Sequence, residues 1–150
     1  MVKGGLTNEK IPYDCFTGRW ARIRTRYAFD RRGRGLFINL ADGDTVQSPL
    51  TVRFGLTGMG VAPAGVEQEG TGHHHVFINR APLGEGEFGA DEFIYPIPND
   101  EAHRHFGGGQ TETMLDLPSG EHTLQMVFGD HNHVPHDPPV TSDVITITVE

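Results

Sequence analysis

The stretch LTVRFGLT, residues 50–57, carries the clearest signal of fold class in the chain. Leu50, Val52, Phe54 and Leu56 alternate with polar or small residues. Successive side chains of a β-strand point to opposite faces, so these four apolar side chains would share one face. The stretch therefore predicts a strand that packs one face against a core.

Comparable short apolar runs recur after residue 35, separated by turn residues rather than by segments of helical period. They are LFINL (36–40), HHVFIN (74–79), ETMLDL (112–117), EHTLQMVFG (121–129) and DVITITV (143–149), with the proline-containing EFIYPIP (92–98) as an edge strand or extended segment. About seven strands at this spacing predict an all-β fold, an immunoglobulin-like antiparallel β-sandwich. A small closed barrel is the alternative. Residues 58–72 and the proline-stiffened 131–139 are expected to form long loops.

Charge divides the chain, although its formal net charge is −8. Nine of the 12 Lys and Arg residues precede residue 35, where only Glu9, Asp14 and Asp30 oppose them. We therefore predict a basic, Arg-rich N-terminal arm, residues 1–34, partly disordered or docked, and a single β-sandwich domain, residues 35–150. The arm is a candidate contact for a protein partner. Nucleic acid is not the expected partner, because no nucleic-acid-binding motif accompanies the arginines.

Several functional classes are disfavoured by the sequence. A lone Cys15 can build neither an internal disulfide nor a thiolate metal cage, so a metal would need imidazole and carboxylate ligands. No run of apolar residues is long enough for a transmembrane helix, and the N-terminus shows no readable signal peptide. The glycine-rich FGGGQTE (106–112) lacks the lysine of a P-loop and predicts a tight turn or a close backbone approach. Catalysis is not the favoured role, since no nucleophile elbow is present either.

Histidine is the unusual residue of this chain, because eight of its 9 histidines fall into three clusters. Each cluster contains a His-x-His pair, and the pairs are His73/His75, His103/His105 and His131/His133. On a strand, residues i and i+2 lie on the same face roughly 7 Å apart, so two imidazoles can converge on one ion. The middle histidine of the HHH run, His74, is expected to point into the fold.

The spacing predicts a site for a transition metal, copper first and zinc second, with these six histidines as ligands. Four further residues would either orient the ligand imidazoles or replace one of them as a ligand: His74, His136, Glu112 and Asp130. Three other interpretations stay open at this point. The histidines are hydrogen-bonding latches of a non-catalytic interaction or structural subunit, they form a pH-responsive surface, or three of them hold a metal with an open position and Glu112 as a base.

The motifs GMGVAPAG, GTGHHH, HRHFGGGQTE, LPSGEHTLQ and GDHNHVPHDPP resemble those of a bacterial family known only as a domain of unknown function. The resemblance covers roughly residues 36–150. It implies an immunoglobulin-like sandwich in a small exported protein, and hence a periplasmic or extracellular setting. It implies no reaction. Together with the histidine pairs, it favours an envelope metal carrier, chaperone or sensor.

Overall fold

The computed structural model describes residues 33–150. The basic arm therefore lies outside the described residues, apart from Gly33 and Arg34. Ten strands and one short 3-10 helix make up the described chain. The strands are β1 (Arg34–Phe37), β2 (Thr45–Val46), β3 (Leu50–Thr57), β4 (Gly60–Val61), β5 (Thr71–Ile78), β6 (His103–Phe106), β7 (Glu112–Leu115), β8 (Gly120–Gly129), β9 (Pro135–Thr141) and β10 (Ile145–Val149), and the 3-10 helix is Gly89–Phe93.

These strands form two sheets, which confirms the predicted all-β class. The smaller sheet has the order β1-β3-β7, with both pairings antiparallel. The larger sheet has the order β2-β10-β8-β5-β4, with β6 also paired to β5 and β9 also paired to β8. Its two parallel pairings involve the two-residue strands β2 and β4. The immunoglobulin-like connectivity stays a prediction.

Apolar residues of both sheets share one core. Leu50, Val52 and Phe54 of β3 are buried while Arg53 is exposed, as the alternation predicts. Leu124 and Met126 of β8 are fully buried in the same core. Each such side chain contributes about 1.5–3 kcal/mol through removal of apolar surface from water. This core holds the two sheets together and fixes the orientation of β5 within the larger one.

Two sequence-based assignments need correction. Of the two forms predicted for residues 92–98, an edge strand or an extended segment, the strand does not form: the 3-10 helix ends at Phe93, a turn follows, and residues 96–98 have no regular secondary structure. Conversely, much of the predicted loop 131–139 belongs to β9, although this strand contains three prolines. Proline lacks a backbone N–H, so it is tolerated where a strand has a partner on one side only. The pairing of β9 with β8 gives such a position. Among the described residues, no helix is long and apolar enough to cross a membrane.

Candidate metal centre

The strand β5 is buried along almost its whole length, which is why its three histidines leave the solvent. His74, Val76 and Ile78 point towards the core, where the His74 ring packs against Phe54 with 4.9 Å between ring centroids. The His74 Nδ1 lies 3.0 Å from the Gln110 carbonyl oxygen, which accepts a hydrogen bond from it. His73 lies on the opposite face with His75, as strand alternation predicts.

On that opposite face, the structure brings together one or two histidines from each of the three sequence clusters. His105 is the register partner of His75 across the β5–β6 pairing, and their ring centroids are 5.0 Å apart. His73 lies 4.8 Å from His75 and 5.0 Å from His105. One ring nitrogen from each of the three lies within 4.8 Å of the other two. We call these three residues and His133 the histidine cluster.

His133 enters the cluster from the turn that follows β8. Its ring centroid is 4.6 Å from that of His105 and 4.9 Å from that of His73. Asp130 shapes the turn, because its carboxylate accepts hydrogen bonds from the backbone N–H groups of Asn132 and Val134. His133 has a φ of 69°, a left-handed conformation that costs energy for a residue other than glycine. The turn therefore holds this side chain in place at a local cost.

Two glycines make room for the rings. A side chain at Gly129 would place its Cβ 3.0 Å from the His75 Nε2, and one at Gly107 would overlap the His105 ring. Gly107 belongs to the FGGGQTE stretch, so the predicted close backbone approach next to His105 is confirmed. The sequence offered no comparable signal for Gly129, which is the last residue of β8.

Five of the eight ring nitrogens of the cluster are buried and lack a hydrogen-bond partner among the described residues, and His133 is half-buried. The five are both ring nitrogens of His73, both of His75 and the Nε2 of His105. Burial first, and the neighbouring imidazoles second, lower the pKa of His73 to about 4 and that of His75 to about 2. Burial also lowers the pKa of His105. Neutral imidazole is the form that binds a metal ion.

Two of the six predicted ligands are engaged elsewhere. His103 lies on β6 two residues before His105, but its Nδ1 is 2.8 Å from the Asp100 carboxylate and its Nε2 is 2.6 Å from the Arg80 guanidinium. Arginine can only donate, so the Nε2 of His103 accepts and its Nδ1 carries the proton. The Nε2 of His131 lies 2.8 Å from the side-chain amide of Asn132, outside the ring contacts of the cluster.

Glu112 and His136, two of the four residues predicted to support or replace the ligands, make other contacts. Glu112 forms an exposed ion pair with Arg53, with 2.6 Å between its carboxylate and the Arg53 Nε. His136 stacks on Phe128, and its buried Nε2 has no hydrogen-bond partner in the described chain. The ligand roles of all these residues stay predictions. Sequence reasoning missed the link between His103 and the Arg80–Glu92 ion pair, because no spacing pattern connects those three positions.

Comparison with known proteins identifies the family of the chain and no individual relative. No curated protein and no solved structure matches the chain. The profile of one protein family, described as "Domain of unknown function (DUF4399)", matches residues 52–150. This range contains every histidine of the cluster and most of both sheets. The chain therefore belongs to the DUF4399 family, a domain of unknown function.

Proposed function

We propose that this domain binds one transition-metal ion through His73, His75, His105 and His133. The observation that carries the proposal is the gathering of buried ring nitrogens that have no hydrogen-bond partner in the described chain. A structural histidine is normally satisfied by two hydrogen bonds, as His122 is here by Asn79 and the Pro118 carbonyl oxygen. The cluster lacks that signature of a structural role.

Energetics support the same interpretation. Each buried polar group without a partner costs about 1–3 kcal/mol. The cluster brings several such groups into one small volume. A metal ion coordinated by their ring nitrogens would give these nitrogens a partner. The low pKa of His73 and His75 also means that a metal ion would displace few protons near neutral pH.

The geometry of His73, His75 and His105 suits metal binding after a small adjustment, and His133, whose ring contacts two of them, would be the fourth ligand. Metal–nitrogen bonds of about 2.0–2.1 Å in a tetrahedron place the ligand atoms about 3.3 Å apart. The nitrogens of His73, His75 and His105 already lie within 4.8 Å of one another. Rotations of the side chains, without movement of the strands, would close the remaining gap.

The donor set favours copper first and zinc second. Imidazole suits both metals, and affinity for a given nitrogen site normally peaks at Cu(II). With His133 as the fourth ligand, no coordination position is left for a substrate. We therefore favour a carrier, chaperone or sensor over an enzyme. We place this role in the cell envelope, a setting that the sequence resemblance implies.

A second candidate has its own support. His74, His103 and His122 are each hydrogen-bonded within the described chain, to Gln110, to Asp100 and Arg80, and to Asn79 and Pro118. These three act as latches between separate segments, as expected of a structural or interaction subunit that contains no metal. That role competes with the metal proposal only if the cluster itself binds nothing.

Thermal unfolding of the metal-free protein, with and without Cu(II) or Zn(II), separates the two candidates. A ligand at about a hundred times its Kd stabilises the native state by about 2.7 kcal/mol, which raises Tm by several degrees. We expect that rise in the unaltered protein and in His131→Ala. His73→Ala/His75→Ala should show none. An unchanged Tm in the unaltered protein, or an equal rise in the double variant, would overturn the proposal.

A further inference from the structure

Next to the histidine cluster, the domain contains an apolar cavity of about 430 Å³. Phe77 of β5, Leu83 and Ile97 are buried residues of its lining. Phe88 and Tyr95 line it from the segment around the 3-10 helix, and their side chains are 69% and 62% exposed. A cavity of this size lies within the range of about 300–1,000 Å³ that is usual for small-molecule sites.

Hydrogen bonds hold in place the segment that covers the cavity, residues 80–93. The Arg80 guanidinium donates to the Glu92 carboxylate at 2.5 Å and to the Ala81 carbonyl oxygen at 2.8 Å. Glu92 also accepts the backbone N–H of Gly84. The Leu83 N–H donates to the buried side chain of Gln125 on β8. Residues 80–93 therefore have a defined path although they contain only one turn of 3-10 helix, and the cavity is preformed.

The lining selects for aromatic groups. The rings of Phe77, Phe88 and Tyr95 all face the cavity, and aromatic rings pair favourably with one another in offset or edge-to-face contacts. The face of Phe77 is already covered in part by Arg80, whose guanidinium carbon lies 4.3 Å from the ring centroid. A flat ring would contact the remaining aromatic surfaces without displacing this arrangement.

The polar groups of the lining select against anions. Arg80 and Glu92 are 16% and 10% exposed and neutralise each other. His103 is bonded on both ring nitrogens, and the carboxylate of Asp91 in the lining repels anions. Among the described residues that line the cavity, a ligand anion would therefore find no free cation, and a buried charge without a partner is costly.

We propose that this cavity is a binding site for an aromatic molecule that carries no negative charge. The site is separate from the histidine cluster but shares its framework. Phe77 follows His75 on β5 by two residues, His103 precedes His105 on β6 by two, and the Ile97 N–H donates to the His133 carbonyl oxygen at 2.9 Å. Binding in the cavity needs no metal, so it can be tested in metal-free protein.

Two dyes with the same ring skeleton give the test. N-phenyl-1-naphthylamine is uncharged and fluoresces more strongly in apolar surroundings, and 8-anilinonaphthalene-1-sulfonate carries an added negative charge. We expect saturable binding of the uncharged dye to the metal-free protein, with an affinity at least about tenfold above that of the sulfonate. Phe88→Ala/Tyr95→Ala removes the two exposed rings and should weaken binding of the uncharged dye about tenfold.

The matched control is Ile38→Ala/Met114→Ala, which shortens two side chains that are equally exposed but lie away from the cavity. It should bind the dye as the unaltered protein does, and circular dichroism should show that both double variants are folded. Non-saturable binding, equal affinity for the two dyes, or equal weakening by both double variants would each refute the proposal. None of these outcomes bears on the metal site, because every titration contains a chelator.

Discussion

His75 and His105 are direct partners across the antiparallel pairing of β5 and β6, and their imidazole rings lie 5.0 Å apart. The two residues are 30 positions apart in sequence, and strand register alone brings them together. Because both side chains leave their strands on the same face, the pair forms the base of the histidine cluster.

The first prediction distinguishes the residues that bind the metal ion from nearby residues that do not. Loss of a ligand removes a metal bond, whereas loss of a supporting contact typically costs about ten- to a hundredfold in affinity. We expect His105→Ala to weaken Zn(II) binding by about a hundredfold or more. His131→Ala and Glu112→Gln should leave the affinity nearly unchanged, since these side chains bond to Asn132 and Arg53 instead.

Competition titrations with a chromophoric chelator would give these affinities. Equal weakening by His105→Ala and His131→Ala would contradict the ligand set, and would show instead that the metal contacts the exposed loops.

The second prediction concerns the stability of the metal-free protein. His75 has two buried ring nitrogens without partners in the described chain, so His75→Leu removes two unsatisfied groups. We expect this variant to be more stable than the unaltered protein by about 1–3 kcal/mol in chelator. His122→Leu is the matched control, because both of its ring nitrogens are hydrogen-bonded and its loss should destabilise the fold.

Denaturant unfolding in the presence of chelator measures both changes. If His75→Leu were as destabilising as His122→Leu, then His75 would have a structural role that its surroundings do not show.

The third prediction is a pH dependence. The pKa of His73 is about 4 and that of His75 about 2, both below the ordinary value of 6.5 that applies to the unfolded chain. Below pH 6.5 the unfolded chain therefore binds more protons than the native state, so native stability falls as the pH falls from 6.5 towards 4 and below. Each unit of separation corresponds to about 1.4 kcal/mol at most.

Unfolding midpoints of metal-free protein between pH 7.5 and pH 4 would show this decline, and the decline should be shallower in His73→Leu/His75→Leu. Equal pH dependence of the double variant and the unaltered protein would mean that other groups dominate the acid transition. Metal binding to the native protein should weaken as the pH approaches the native pKa of His73, about 4, because protons then compete for the same ring nitrogen.

The fourth prediction tests the glycine beside His105. A Cβ at Gly107 would overlap the His105 ring, so Gly107→Ala should displace this ligand and lower metal affinity about tenfold. At Gly108 the nearest atoms to a Cβ would be those of the Gln110 side chain, at 3.2 Å, and that side chain can move. Gly108→Ala is therefore the control and should retain the affinity of the unaltered protein. Calorimetric titration of both variants would decide the point.

The sequence predicted the elements whose pattern is local. Alternation identified β3 and placed His73 and His75 on one face with His74 on the other, because side-chain direction in a strand follows from position alone. It failed for β9, where three prolines concealed a strand that exists through its pairing with β8. Pairing partners are non-local, and no pattern within residues 131–139 reveals them.

The same distinction holds for the histidine cluster. The His-x-His spacing marked three pairs as candidates, but only the β5–β6 register shows that His105 faces His75. His103 has the same spacing and a neighbouring position, yet Arg80 and Asp100 occupy its ring nitrogens. The position of His133 depends on the turn that Asp130 stabilises. His133 itself has a left-handed backbone conformation in that turn, and the His-x-His spacing does not indicate it.

The most direct test of the central claim is the metal content of the protein purified from its own host, untagged and without added metal. We expect one copper or zinc ion per chain, retained in His131→Ala and lost in His73→Ala/His75→Ala. Elemental analysis that finds no metal in the native protein, or the same metal content in the double variant, would contradict it.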